Sequence, residues 1–178
     1  MKLQASQTAV PFATTDIYDN PIALDDYRGK KLLLSFYRYA SCPLCNLRIH
    51  HLVERYDALN TQGLNIVAFF QSPTEKIVQY VMGKHDIPFP IIADPEHNVY
   101  EQYGLEQSRW GYVRGAVSSR MREAIRLGFM ENDPDGVQTL HPADFLIAAD
   151  QTIHTAFYGR DISDHIPFEQ IERFLNEG

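Results

Sequence analysis

The sequence predicts an α/β fold with a central mixed sheet flanked by helices, and three observations lead there. Strand-length apolar runs alternate with segments of helical spacing through the first half of the chain, the pattern of parallel strands joined by crossover helices. Two strand-like runs around a tight turn come late and add antiparallel strands. Between these, one continuous apolar run leads straight into a helix that opens on the chain's two cysteines.

The elements follow in order. Phe12 to Lys31 shows no 3.6-residue period and contains the turn Asp19-Asn20-Pro21, so an N-terminal hairpin is expected. Leu32 to Tyr37 is apolar but for Ser35, as suits a strand covered on both faces. Beyond the cysteines, Cys45, Ile49, Leu52, Val53, Tyr56 and Leu59 recur at helical spacing, and Gly63 stands where a left-handed residue ends such a helix. Leu64 to Phe70 repeats the buried strand. Ser72-Pro73-Thr74-Glu75 predicts a helix capped by Ser72 and running to about Lys84. Phe89 to Ala93 reads as a short strand, with Asp94-Pro95 opening a helix that Gly104 ends. Phe145 to Ala149 and Thr152 to Tyr158 flank the Asp150-Gln151 turn, and Pro167 to Asn176 forms a last amphipathic helix.

A chain of 178 residues is read as one domain, 1–178, with an insertion at about 105–140 before the last hairpin. The insertion holds a Trp110/Tyr112/Val113 cluster and a helix expected over Ser118 to Leu127. Arg109, Arg114, Arg120, Arg122 and Arg126 read as a solvated face. The acidic stretch Glu131 to Gly136 contains Asp133-Pro134-Asp135-Gly136 and reads as a plain turn, the alternative being a lid. A net charge of −7 argues against nucleic acid and anionic membrane as partners, and the start of the chain has no apolar core for a signal peptide. A cytoplasmic location is the expectation.

Two cysteines are too few for a disulfide scaffold, and as Cys42-Pro43-Leu44-Cys45 they point to chemistry or metal. At a helix start, free backbone N–H groups and the positive end of the dipole favour a thiolate at Cys42. Cys45, one turn on, can attack a mixed disulfide or sulfenic acid there and close a disulfide. Half of a zinc site, with His50 and His51 nearby, and a pair of inert buried thiols are the other readings. Arg38 and Arg48 are the nearest cations able to hold the thiolate or polarise a peroxide, against a plain structural role for each. Tyr39 is expected to pack.

At these residues the sequence resembles the peroxiredoxin-like, alkyl hydroperoxide reductase and thiol-specific antioxidant branch of the thioredoxin superfamily. The likeness runs from about Phe12 to Phe174. It rests on Thr15 to Pro21 with Asp26-Tyr27-Arg28-Gly29-Lys30, on Phe36 to Cys45, on Phe89 to Pro95 leading to Tyr103-Gly104, and on His141-Pro142-Ala143-Asp144-Phe145-Leu146-Ile147. It implies a thioredoxin-like fold and a redox-active, antioxidant Cys42–Cys45 pair. A peroxide or a protein disulfide would be the substrate and a thioredoxin-type or glutathione-type thiol the electron donor, with no prosthetic group and compatibility with a homodimer. It also implies that Pro142 is a cis proline facing Cys42, the alternative being an ordinary strand-entry proline. The sequence departs from the family where Tyr39 and Ser35 stand in place of the Thr or Ser and the Pro that precede the peroxidatic cysteine. Those departures keep a thiol-disulfide reductase without peroxidase activity, and a redox-sensing binding module, open beside the peroxidase.

Overall fold

The structure, a computed structural model, describes residues 2–131 and 133–177. A five-stranded sheet has the order β5-β4-β3-β6-β7, with β3 (Lys31–Phe36) in the middle. Strand β4 (Leu64–Phe70) runs parallel to it, pairing Leu33 with Ile66 and Phe36 with Phe69. Strand β5 (Ile91–Ala93) extends the parallel side. Strands β6 (Ala143–Ile147) and β7 (Ile153–Tyr158) run antiparallel on the other side.

The continuous apolar runs reflect burial on both faces. Leu33, Ile66, Ala68 and Phe70 meet helix α1 (Pro43–Thr61) and helix α6 (Phe168–Asn176) on one face. Leu32, Leu34, Phe36, Phe69 and Phe145 meet Tyr100 and Tyr103 on the other. A separate hairpin of β1 (Ala13–Thr15) and β2 (Pro21–Ala23) turns at Asp19, which has a positive φ. Among the described residues no helix is long and apolar enough to cross a membrane.

Several elements depart from expectation for identifiable reasons. Strand β5 starts late because Pro88 and Pro90 cannot donate to a ladder. Helix α3 (Asn98–Gln102) begins beyond Asp94-Pro95, although Asp94 still anchors it by accepting from the N–H groups of Asn98 and Val99 at 2.9 and 2.8 Å. The helix after Ser72 is one turn, α2 (Thr74–Ile77), followed by a wider turn in which Gly83 N–H reaches back to Val78 C=O at 3.0 Å. Ser72 does not cap it. Its hydroxyl is used at the cysteine site instead.

The insertion carries the expected helix, α5 (Ser119–Arg126), capped by Ser118, and one that its sequence did not announce, α4 (Arg109–Ala116), capped by Ser108. Gly111 and Gly115 weaken the helical signal of α4 but are its packing face: a side chain at Gly111 would collide with the His141 ring. Residues 133–139 then have no helix or strand and lie across the β3–α1 junction, and Leu140 forms an isolated bridge with Gln107.

Candidate functional site

Helix α1 starts where β3 delivers the chain. Cys42 is its N-cap residue, with extended backbone, and Pro43 occupies the first helical position, where no N–H is needed. Asn46 ties this turn to the preceding loop by donating to the carbonyls of Ala40 and Cys42 at 2.8 and 3.1 Å. The Cys42 sulfur therefore faces the free N–H groups of the first turn and accepts from Cys45 N–H at 3.3 Å.

Arg38 completes the site. Its Nη2 donates to Cys42 Sγ at 2.9 Å, and its Nη1 donates to the Gln138 carbonyl at 2.6 Å. The guanidinium lies 5.2 Å from the Tyr39 ring centre. Burial alone would push the Cys42 thiol up, but the Cys45 thiol, the Arg38 charge and the Cys45 N–H outweigh it and hold Cys42 down at about 6. Burial and the neighbouring sulfur push Cys45 well above its ordinary value. One cysteine is thus a thiolate at neutral pH and its partner a thiol. Both are reduced, and Cys42 has no exposed surface.

A cover accounts for that burial, and it corrects the reading of the acidic stretch as a plain turn. Ser41 donates to the Asp133 carbonyl at 2.7 Å, and Ser72 Oγ receives Ala40 N–H at 2.7 Å while donating to Asp135 at 2.8 Å. Gln71 makes a double bond pattern with Val137, donating to its carbonyl at 3.1 Å and accepting from its N–H at 2.9 Å. Asp133 also takes bonds from Lys76 and from Tyr80. Gly136 is required here, since a Cβ would stand 2.6 Å from the Gln71 side chain.

Of the other residues singled out from sequence, Pro142 needs correction. Among the described residues no peptide bond is cis, so Pro142 enters β6 through an ordinary trans bond, the favoured isomer. Its carbonyl accepts Gly159 N–H at 2.9 Å, as a strand-entry residue does. Arg48 turns away from the sulfurs, donating to Ile166 C=O at 2.9 Å with its guanidinium 4.2 Å from the Phe168 ring centre. His50 and His51 face Glu54 and Glu123 rather than the cysteines.

Sequence reasoning missed Ser41, Gln71 and Gln138, the contacts that close the site. Ser72 had been noticed, for the wrong task. Gln138 acts through its backbone carbonyl, which no side-chain motif reports. Behind the site, Ser35 donates to Asp144, which also accepts from His165 Nδ1 at 3.0 Å and Ile166 N–H at 2.8 Å, so the residue standing in place of the family's proline serves a buried carboxylate.

Comparison with known proteins agrees with this geometry. The family model described as "AhpC/TSA family" matches residues 5–156. Peroxiredoxin Bcp of Escherichia coli K12 is 27% identical over 163 residues, covering 92% of this chain and 90% of its own length. The crystal structure of peroxidoxin BcpB from Mycobacterium tuberculosis superposes with a TM-score of 0.71 at 14% identity, covering 98% of this chain and 97% of that one. A thiol peroxidase from Chromobacterium violaceum has a TM-score of 0.69 at 15% identity, covering 100% and 89%. The fold is thioredoxin-like, and the chain belongs to the AhpC/TSA family, as a peroxiredoxin-like thiol oxidoreductase.

Proposed function

We propose that the chain reduces peroxides with Cys42 as nucleophile, Cys45 as resolving thiol and Arg38 as the group that holds the thiolate and steadies the peroxide. The Cys42 thiolate attacks one peroxide oxygen and the O–O bond breaks; with one proton taken up, the products are Cys42 sulfenic acid and an alcohol or water. Cys45 then attacks the sulfenic sulfur, and its thiol proton leaves with the hydroxyl as water while the Cys42–Cys45 disulfide forms. One thioredoxin-type dithiol, or two glutathione-type monothiols, restores both thiols and is oxidised to a disulfide. These steps require no prosthetic group. Pro142 has only a structural part in this scheme.

The observation that carries the reading is the bond from Arg38 Nη2 to Cys42 Sγ at 2.9 Å, beside the Cys45 N–H. A guanidinium placed there favours the thiolate and has further donors for the oxygen that develops charge. The test is mass analysis after hydrogen peroxide treatment of reduced protein. Wild type should lose two hydrogens, Cys45→Ser should gain one oxygen at Cys42, and Cys42→Ser should not react. A product lacking the disulfide in wild type would refute the scheme.

A second reading, a thiol-disulfide reductase, draws on Tyr39 and Ser35 at the positions where the family carries a hydroxyl residue and a proline. Rapid reaction with a protein disulfide, alongside peroxide oxidation no faster than that of a free thiol, would establish it instead.

A further inference from the structure

Beside α1, on a helical face different from that of the cysteines, lies a cavity of about 230 Å³ between α1, α5 and residues 163–169. Leu44, Leu47, Ile166 and Phe168 supply apolar walls. Arg48 enters from α1 and is only 8% exposed. Of its five N–H donors, the one with a protein acceptor among the described residues is the Nη2 bond to Ile166 C=O, and Nε has no partner. With its flat face on the Phe168 ring and a buried Nε without a partner, this guanidinium needs water or an anion from the cavity to complete it.

Among the described residues no acid hydrogen-bonds it, although Asp144 feels its charge. Asp144, the buried carboxylate behind this wall, spends its oxygens on Ser35, His165 and Ile166 N–H. Glu123 is tied to His51 at 3.3 Å, and Glu169 is exposed at the rim. Arg120, half exposed, brings a second guanidinium to the mouth, where it donates to the Ser163 carbonyl at 2.8 Å and stands 3.9 Å from the Asp164 carboxylate. The His165 ring is anchored through Nδ1 to Asp144, and the ring also lines the cavity.

We propose that this cavity binds a small monocarboxylate with a compact apolar body. The carboxylate pairs with Arg48 and Arg120, and the body packs against Leu44, Leu47, Ile166 and the Phe168 ring. A cavity of about 150 Å³ admits benzene, so this one has room for a ring bearing a carboxylate. The two rim glutamates select against a second negative charge. Its polar groups lie off the cysteine side, since Leu47, Arg48 and His51 form another side of α1 from Cys45, Ile49 and Leu52, while Leu44 and Ile166 also pack in the core around the cysteines.

The test is titration of the reduced, full-length protein with benzoate and with benzamide, followed by calorimetry and amide NMR. The expected result is saturable one-to-one binding with shifts centred on Leu47, Ile166 and Phe168, and benzoate binding at least about tenfold tighter than benzamide, as a charge-assisted bond predicts. Arg48→Met should weaken benzoate by at least about tenfold and benzamide little. Arg120→Met, at the half-exposed rim, should weaken it by about threefold and keeps the test decisive if Arg48→Met does not fold. Absence of saturable binding, equal affinity for acid and amide, or shifts elsewhere would overturn the proposal.

Discussion

The floor of the cysteine site and its cover are built on different principles. The floor is local: Arg38, Cys42, Cys45 and Asn46 lie within one loop and the first turn of α1, fixed by the register of β3 against β4 and β6. The cover is long-range: residues 133–140 reach the floor through Ser41, Gln71, Ser72 and the Arg38–Gln138 bond, contacts between residues 63 to 100 positions apart. Local geometry sets what the sulfur can do. The distant contacts hold the segment that lies over it.

The largest expected effect falls on the floor. Arg38→Met removes the cation beside Cys42 and should slow peroxide oxidation at pH 7 by about a hundredfold, the usual cost of losing one preorganised donor. The thiolate midpoint, read by thiolate absorbance against pH, should rise above about 6. An unchanged midpoint would mean that the helix start alone holds the charge.

Gln71→Ala addresses the cover. Two lost hydrogen bonds are worth about 2 kcal/mol, which raises the open population about thirtyfold. Hydrogen exchange at Val137 N–H should quicken accordingly, and a bulky hydroperoxide should gain more in rate than hydrogen peroxide. Equal gains for both would show that the cover does not gate size.

Acid should separate the two regions further. His85 packs against Phe129 at the root of the cover, ring centres 5.3 Å apart, and burial lowers its pKa to about 4. Because its folded pKa lies below its unfolded one, the unfolded chain binds more protons, and this contribution to stability is intact above pH 6.5 and lost as pH falls toward about 4. Denaturant midpoints measured across that window should fall in wild type and fall less in His85→Phe. The smallest effect belongs to Lys76→Met, which breaks a partly exposed pair with Asp133 and should change oxidation rates by less than about threefold.

The same contrast explains what could be read in advance. Strands β3 and β4 were legible because burial on both faces leaves continuous apolar runs, and α1 because a strand, a CxxC and Gly63 punctuate it. Arg38 and the cysteines were legible as neighbours in sequence. Helix α4 was hidden by the two glycines that let it pack on His141 and Ile162. The cover was hidden because it binds through main-chain groups of Asp133, Val137 and Gln138, whose partners are set by tertiary structure. Pro142 was misread because the motif around it does not encode the isomer of its peptide bond.

In the reading proposed above, Cys42 is a peroxide-reactive thiolate at neutral pH because the Cys45 thiol, Arg38 and the start of α1 hold its charge. The direct measurement is stopped-flow oxidation of reduced wild-type protein by hydrogen peroxide from pH 4.5 to 8.5. The account predicts a rate that rises through a midpoint near 6, levels off above about pH 7, and far exceeds that of a free thiol. A slow rate still climbing at pH 8.5, as for an ordinary cysteine, would contradict it.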